Sequence, residues 1–338
     1  MGVRRLLVLL AALGLLVVGC SSDPEEAPAA DGCNGHAELC DRGYDEVAYP
    51  ATHNSMSAAS EPGWFFAEQP DGIIAQLDHG IRVLLVDSWY GQSTDRRGIV
   101  ATADESRAEA IAQARRDFGR RPVDAALRAR RAIGLAPTGD IRPFLCHAMC
   151  ELGSTPWASN LRAMRDWLDE HPREVVTLFV QDEVTPDDTA RVIEQAGLKP
   201  YVYTPEVVGE WPTLGEMIDD GTRLVVLMEN QGGGSAVPWL IPGFDAVQDT
   251  PYLFESPADF SCAENRGDPD ASLFLVNHWI DDWRNVPRNS ALVNARAVLL
   301  PRLRQCEDER GLLPNFVAVD YYDRGDLLDV VDELNGVD

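Results

Sequence analysis

Two histidines lie at or shortly after the ends of runs of sequence that predict β-strands, and two imidazoles can together cleave a phosphodiester. His53 comes shortly after a short strand-like run at 46–49, and His147 ends another at 143–147. Imidazole titrates near neutral pH, so one ring can remove a proton from an attacking hydroxyl while the other protonates the leaving oxygen. A single histidine is more often structural, but two at comparable positions indicate acid–base chemistry. His53 and His147 are therefore the candidate catalytic pair.

Other polar side chains also fall at the ends of predicted strands. They are Asn54 after the first strand, Asp87 at the second, Gln181 and Asp182 at the fourth, Asn277 and His278 at the seventh, and Asp320, Tyr321 and Tyr322 at the eighth. In a closed barrel of parallel strands these ends surround one opening, where barrel chemistry is concentrated. Asn277, His278 and the two tyrosines are the candidate substrate contacts. Core packing is the alternative for one tyrosine, because neighbours on a strand face opposite sides.

The elements that would position these residues alternate between strands and helices. Apolar, β-branched runs predict eight strands, at 46–49, 82–88, 143–147, 175–181, 201–203, 223–228, 273–277 and 316–320. Helical periodicity predicts helices at 105–133, 157–170, 187–196, 214–219, 290–310 and 325–334.

This order predicts an α/β fold, a single (β/α)₈ TIM-like barrel that is irregular or distorted. The irregularity is expected because the helix before 201 is short and no clear element lies between 237 and 273. The segment 243–270 is predicted to lie over the mouth of the barrel. A doubly wound open sheet is the alternative, but no glycine-rich phosphate loop follows the first strand.

The amino terminus has the pattern of a bacterial lipoprotein signal peptide over residues 1–19. Arg4 and Arg5 precede an apolar run at 6–18, and small residues lead to Cys20. Lipidation is therefore expected at Cys20, followed by a flexible tether over 20–32 and a barrel domain over 33–338. The predicted location is outside the cytoplasm, anchored to the outer face of the bacterial cell membrane. An ordinary secretory signal is the alternative.

Six cysteines remain after Cys20, and an even number in an exported protein predicts disulfides. Local spacing favours Cys33–Cys40 and Cys146–Cys150, and elimination leaves Cys262–Cys306. A zinc site at 146–150 is the alternative, but no second spaced pair accompanies it.

The net charge of −26 restricts the partners of the protein. It argues against nucleic acid and against adsorption to an anionic membrane through a basic face. The expected partners are a small-molecule or lipid phosphodiester and the membrane reached through the lipid anchor. The protein is expected to be a monomer.

Five stretches in the same order resemble a known family. They are ATHNSM at 51–56, QLDHGIRVLLVD at 76–87, PFLCH at 143–147, HPREVVTL at 171–178 and NFVAVDYY at 315–322. Together they resemble the phosphatidylinositol-specific phospholipase C-like phosphodiesterases, whose catalytic unit is the X-type barrel. The likeness covers most of the mature chain and is closest to bacterial and fungal members, many of which have no assigned substrate.

The resemblance implies a role for each residue of the pair. His53 would be the general base on an inositol-type 2-hydroxyl, and His147 the general acid on the departing alkoxide. The first product would be a cyclic phosphate. Asp320 would orient His53 by a hydrogen bond, with a simple salt bridge as the alternative.

The resemblance leaves calcium as an open question. Asn54 and Asp87 match calcium-binding positions, and their oxygen atoms suit that cation. Leu85 and Gln181 stand where the calcium-dependent members have acids, and Asp182 replaces the second acid only with a shift in register. Calcium-independent bacterial members place an arginine where Asp87 stands.

Two alternatives to a phospholipase C-like phosphodiesterase remain open. One is a surface-anchored binding protein with weakened catalysis, which the replacement of acids by Leu85 and Gln181 favours. The other is a glycerophosphodiester phosphodiesterase, although that family has a Glu-x-Asp pair where this sequence has Leu85-Val86-Asp87.

Overall fold

The computed structural model describes residues 32–337. The predicted signal peptide, Cys20 and the tether up to residue 31 lie outside the described residues, so lipidation and anchoring stay predictions. Among the described residues, no helix is both long enough and apolar enough to cross a membrane.

The described chain alternates strands and helices. The strands are β1 (Tyr49–Thr52), β2 (Val83–Thr94), β3 (Val100–Thr102), β4 (Pro137–Leu145), β5 (Val176–Asp182), β6 (Leu224–Met228), β7 (Leu240–Pro242), β8 (Val247–Asp249), β9 (Leu273–His278) and β10 (Phe316–Val319). The helices are α1 (Ile73–Asp78), α2 (Arg107–Asp117), α3 (Arg120–Ala132), α4 (Trp157–Glu170), α5 (Pro186–Gln195), α6 (Leu214–Asp219), α7 (Gly243–Ala246), α8 (Val286–Val293), α9 (Arg296–Arg310) and α10 (Leu327–Asn335).

Eight of the strands form a curled parallel sheet in the order β7-β6-β5-β2-β1-β10-β9-β8. Its central strands, such as β6 and β10, are apolar and buried on both faces, as parallel strands covered by helices must be. Within residues 32–337, no hydrogen-bonded ladder joins the end strands β7 and β8. The predicted irregular TIM-like barrel is confirmed, and its irregularity is incomplete closure.

Two predicted strands are not barrel strands. The segment predicted at 143–147 belongs to β4, which pairs antiparallel with the long strand β2 outside the barrel order. The segment 201–203 makes only one bridge, from Val202 to Leu224, after a turn of 3₁₀ helix. The short strands β7 and β8 take the two places, because three-residue strands carry too little pattern to be seen in the sequence.

The segment 243–270 was predicted to cover the barrel mouth, and its first part is instead barrel wall. Residues 243–249 form α7 and β8. The later part does border the central cavity, through Tyr252, Leu253 and Arg266.

Several helices have the predicted extent and two are divided. The prediction at 157–170 coincides with α4 and that at 214–219 with α6, where Thr213 and Glu216 form a reciprocal capping box. The helix predicted at 105–133 is divided into α2 and α3 at Gly119, whose φ of 82° ends a right-handed helix. The helix predicted at 290–310 is likewise divided into α8 and α9.

The three predicted disulfides are confirmed. Cys33 is bonded to Cys40, Cys146 to Cys150 and Cys262 to Cys306. The Cys146–Cys150 bond closes a small loop that contains His147, so this disulfide lies directly beside a predicted catalytic residue.

Candidate active site

Strand register brings His53 and Asp320 together. Thr52 at the end of β1 is paired with Val319 at the end of β10, and the His53 backbone N–H donates to the Val319 carbonyl at 3.0 Å. The next residue of each strand, His53 and Asp320, therefore emerges at the same edge of the barrel. Asp320 Oδ1 lies 2.9 Å from His53 Nδ1.

Asp320 determines which nitrogen of His53 can accept a proton. When Nδ1–H donates to the carboxylate, Nε2 keeps its lone pair, and Asn54 Nδ2 lies 2.9 Å from that nitrogen. Burial disfavours the charged imidazolium, but the Asp320 and Glu68 carboxylates together outweigh it, so the pKa of His53 is raised. Trp279 stacks flat on the His53 ring at a centroid distance of 3.8 Å. Asp320 and Asn54 thus hold the edge of the His53 ring, and Trp279 holds one face.

His147 is held by a carboxylate that the sequence did not suggest. Glu68 lies in the connection between β1 and α1, and its Oε2 is 3.0 Å from His147 Nδ1. Burial opposes the charged ring, but Glu68, Asp87 and Asp117 outweigh it and raise the pKa of His147 to about 10. The His147 side chain is therefore an imidazolium at neutral pH, with Nε2–H left to donate.

The backbone after β10 places Glu68. The Tyr321 N–H donates to the Glu68 carbonyl at 2.8 Å, and Tyr321 itself has a left-handed φ of 42°. Gln69 Nε2 donates to the carbonyls of His53 and Val319. The Glu68–Gln69 segment is consequently fixed to the same two strand ends that carry His53 and Asp320.

The two imidazoles face one another across a single opening. Their ring centroids are 6.3 Å apart, nearly edge to face, and Asn54 Nδ2 lies between them, 3.2 Å from His147 Nδ1. One ring is poised to accept a proton at Nε2 and the other carries a proton to give. Their pKa values are separated in the direction that an acid–base pair requires.

The rings lie in a cavity of about 530 Å³ at the carboxyl ends of the strands. Carboxyl groups dominate its charged lining, which consists of Glu68, Asp87, Glu109, Arg116, Asp117, Glu183, Glu229, Arg266, Asp281, Asp282 and Asp320. Burial, together with the neighbouring carboxylates, raises the pKa of Asp87 to about 6 and that of Glu229 to about 7. Near neutral pH part of this carboxyl charge is therefore neutralised, which lowers the repulsion of an anionic substrate.

The calcium positions suggested by the resemblance are only partly filled by suitable donors. Asn54 and Asp87 line the cavity, and Gln181 pairs with Asp87 across β2 and β5. With the Gln181 amide turned so that both groups are satisfied, its nitrogen donates to the two Asp87 oxygens at 3.2 and 3.3 Å. No group of three or more His, Cys, Asp or Glu side chains is arranged to hold a metal ion in the part of the chain described.

Asp182 does not supply the missing acid. Its carboxylate accepts hydrogen bonds from the backbone of Asn230 and Gln231 and so holds the loop after β6. Strand alternation explains this position, because Gln181 faces the cavity and its neighbour must face away. The donor set therefore does not fit the four-ligand calcium site of the resemblance.

Of the four predicted substrate contacts, only Asn277 lines the cavity. Its Oδ1 is buried without a hydrogen-bond partner, while Nδ2 donates to Asp249 and to the Thr250 carbonyl. The unpaired oxygen is an acceptor available to a ligand donor.

The structure does not place His278 in the cavity. The next residue on β9 after Asn277, it faces the surrounding helices and is fully buried. Its Nε2 lies 2.9 Å from the Val293 carbonyl and its Nδ1 lies 2.8 Å from Arg302 Nη1. Burial and Arg302 lower the pKa of His278 to about 3, so the ring is neutral and structural.

Tyr321 and Tyr322 also lie outside the cavity lining. Both are buried, and Tyr322 packs edge to face against His79 at 4.8 Å. Their contribution is made through the backbone that holds Glu68 and Gln69. The expectation that one of them stacks on a ligand is therefore not supported by their positions.

Glu68, Trp279 and Asp117 are the site residues that the sequence did not reveal. Glu68 belongs to a loop without a motif. Trp279 directly follows β9 and His278, the residue predicted to contact the substrate. Asp117 ends α2, and its Oδ2 is 3.7 Å from His147 Nε2. A search of the connections that follow strand ends, rather than the strand ends alone, would have included Glu68.

The fold and the site define a class, an α/β-barrel protein with two carboxylate-held histidines at the carboxyl ends of its strands. A family model described as PI-PLC X matches residues 135–335, more than half of the chain. The matched part includes His147 and Asp320. The chain belongs to the PI-PLC X family.

Curated relatives support the same membership. The chain is 27% identical over 327 residues to PI-PLC X domain-containing protein 1 of Arthroderma benhamiae, covering 90% of each chain. It is 26% identical over 337 residues to an uncharacterized secreted protein of the same fungus, covering 90% of this chain and 64% of that one. A PI-PLC X domain-containing protein of Arabidopsis thaliana is 26% identical over 318 residues, covering 87% of this chain and 62% of that one.

Solved structures are similar at a greater distance. A phosphatidylinositol-specific phospholipase C from Staphylococcus aureus, with incorporated pentafluoro-Phe, has a TM-score of 0.49 and 10% identity, and covers 88% of this chain and 94% of that one. A calcium-dependent enzyme from Pseudomonas sp. has a TM-score of 0.33 and 12% identity, and covers 60% of this chain and 64% of that one. The fold described above rests on the strands of this chain alone.

Proposed function

We propose that the protein is a phospholipase C-like phosphodiesterase that cleaves an inositol-type or related phosphodiester. The observation that carries this proposal is the pair of imidazoles 6.3 Å apart across one cavity. Each ring has its own buried carboxylate, Asp320 for His53 and Glu68 for His147. Family membership supports the same class of reaction.

The proposed reaction is an in-line displacement within the substrate. A hydroxyl next to the phosphoester attacks phosphorus, and its proton passes to His53 Nε2 as the new P–O bond forms. The bond from phosphorus to the leaving oxygen breaks, and that oxygen takes the proton from His147 Nε2. The products are a cyclic phosphate and an alcohol, and both rings have exchanged protonation states.

Calcium takes no part in the proposed reaction steps. Leu85 and Gln181 lack the charge of the acids they replace, and Asp182 is engaged with a loop. Positive charge near the phosphate comes from the His147 imidazolium, whose pKa of about 10 keeps it protonated at neutral pH. His53 takes up further positive charge as it accepts the proton.

The test is turnover by the full chain on a panel of diesters, with phosphatidylinositol, glycerophosphoinositol and glycerophosphocholine assayed with calcium and with a chelator. His53→Ala and His147→Ala should each lower the rate by about 10²- to 10⁴-fold, the usual contribution of a positioned acid or base. His79→Ala is the matched control, because His79 lies outside the cavity lining. Phosphorus NMR should detect a cyclic product.

Full activity in either cavity variant would exclude the mechanism. Hydrolysis confined to glycerophosphocholine, without a cyclic product, would instead favour a glycerophosphodiester phosphodiesterase.

A binding protein without efficient catalysis is the second candidate. It is favoured by the Asp87–Gln181 pair, where an amide takes the place expected for an acid. Calorimetry with inositol phosphate separates the two candidates. Binding without turnover of any diester, with or without calcium, would support the binding protein and exclude the enzyme.

Export is part of the proposal. The three disulfides require an oxidising compartment, and one relative is named as a secreted protein. Anchoring to the outer face of the membrane through Cys20 stays a prediction. Mass spectrometry of the mature amino terminus tests it, because a free Cys20 or a start elsewhere would exclude the anchor.

A further inference from the structure

One region of this acidic protein is basic. Residues 95–142, which we name the arginine lobe, contain eleven arginines and seven acidic residues, whereas the whole chain has a net charge of −26. The lobe begins directly after β2 and comprises β3, α2, α3 and most of β4. It is an excursion from the barrel, since β3 and β4 lie outside the barrel strand order.

Helix α3 displays much of this charge to solvent. Arg120, Arg121, Arg128 and Arg131 are exposed, and at 100° per residue they fall within an arc of about 100° along the helix. Asp124 is the one acid on the helix, and it already faces Arg115 and Arg120. The remaining three arginines of the arc are available to an anionic partner.

Apolar side chains are exposed beside the arginines. Ile133, which follows α3, is 46% exposed, and Ile141 on β4 is 55% exposed. Arg96 in the β2–β3 turn donates to the Ile133 carbonyl, so this turn adjoins the end of α3. Phe65 is 43% exposed, and Arg130 lies over its ring at 4.4 Å. Charge and apolar surface therefore occur together.

The lobe also borders the mouth of the cavity. Gln113, Arg116 and Asp117 of α2 and the following Phe118 line that cavity. A surface that docks through the lobe would consequently be held next to the paired histidines.

We propose that the arginine lobe docks on an anionic phospholipid surface. Guanidinium groups attract acidic headgroups, and neighbouring apolar side chains enter the interface. This combination distinguishes a bilayer from a nucleic acid, which offers phosphates but no hydrocarbon. The negative charge on the remainder of the protein is screened beyond about 8 Å at physiological salt, so a local basic face can act. The proposal goes beyond diester cleavage and does not require it.

The test is vesicle co-sedimentation of the full chain carrying Cys20→Ser, which removes any lipid on that residue. Vesicles of phosphatidylglycerol and phosphatidylcholine in equal parts are compared with vesicles of pure phosphatidylcholine. The lobe variant is Arg121→Gln, Arg128→Gln and Arg131→Gln together. The control is Arg162→Gln, Arg191→Gln and Arg304→Gln, which removes the same charge from exposed positions on α4, α5 and α9.

We expect the unmodified lobe to favour the anionic vesicles and the lobe variant to lose about 100-fold in partitioning, roughly fivefold for each arginine. The control variant should lose much less. Hydrolysis of a soluble diester should be unchanged in both variants, so failure of docking is distinguished from failure of the proposed activity. Equal binding to both kinds of vesicle, or equal losses in the two variants, would overturn the proposal. The proposal would also be overturned if the lobe variant lost binding to a DNA duplex but kept its binding to vesicles.

Discussion

Glu68 Oε2 and His147 Nδ1 lie 3.0 Å apart in the wall of the cavity, with both side chains largely buried. Burial alone would favour neutral groups, but the pair stabilises the charged form of each. The pKa of His147 is consequently raised to about 10, and that of Glu68 lies below its ordinary value. The Glu68 carboxylate, from the β1–α1 connection, therefore determines up to which pH His147 remains protonated.

Glu68→Gln should move the alkaline limb of the pH–rate profile to lower pH. The amide keeps the shape but removes the negative charge that raises the His147 pKa, so the general acid is lost at a lower pH than about 10. The measurement is kcat/KM across the alkaline range for the wild type and the variant. Glu68→Asp should retain the charge and keep much of the alkaline limb. An alkaline limb that does not move in the amide variant would show that His147 is not the group titrating there.

Asp320→Asn should affect the opposite limb. The Asp320 carboxylate raises the pKa of His53 against the effect of burial, and the base works only when His53 is neutral. Activity of the wild type should therefore fall as the pH drops through the pKa of His53, which lies above the ordinary value of 6.5 for histidine. In the variant this fall should occur at lower pH, and the plateau rate should drop by about 10²- to 10⁴-fold, because the uncharged amide can donate to Nδ1 and so favour the wrong tautomer of His53. A shift of the acidic limb to higher pH would contradict the assignment.

Trp279→Phe should preserve more activity than Trp279→Ala. The indole stacks flat on His53 at 3.8 Å and fixes the plane of the ring, a role that another aromatic ring can partly assume. Because Trp279 is 7% exposed, truncation to alanine should also lower the free energy of unfolding by about 3–5 kcal/mol. Stability from denaturant titration and kcat at saturating substrate separate the two effects. Equal kcat values in the two variants would show that the stack does not orient the base.

Predictability from the sequence differs between the barrel and its site. The barrel, the disulfides and the pair His53 and His147 follow from strand patterns and residue types, which are local properties. The short strands β7 and β8 do not, because their pairing depends on long-range contacts with β6 and β9.

Two predicted site residues that lie outside the cavity, His278 and Asp182, share one physical cause. His278 and Asp182 each follow directly after a residue that faces the cavity, Asn277 and Gln181, so alternation along a strand turns them away. Along a strand, that rule allows only one residue of each of these adjacent pairs to face the cavity. Glu68 is a different case, because its place depends on backbone bonds between a loop and the residues after β10, which no periodicity records.

Two of the disulfides should differ in what their removal affects. Cys262–Cys306 joins residues 44 apart, so replacing both with alanine should cost about 4 kcal/mol of stability by the loop-entropy relation. Cys146–Cys150 joins residues 4 apart, and its loss should cost about 2 kcal/mol. However, its loop contains His147 and also Ala148, whose left-handed φ of 58° needs a constraint to persist.

We therefore expect Cys146→Ala with Cys150→Ala to lower kcat/KM strongly at a small cost in stability, and Cys262→Ala with Cys306→Ala to do the reverse. The two double variants are controls for each other, since each removes one bond between buried cysteines. Denaturant unfolding and diester turnover on the same preparations give both quantities. If the Cys146–Cys150 variant kept full activity, the position of His147 would have to come from Glu68 and the surrounding packing alone.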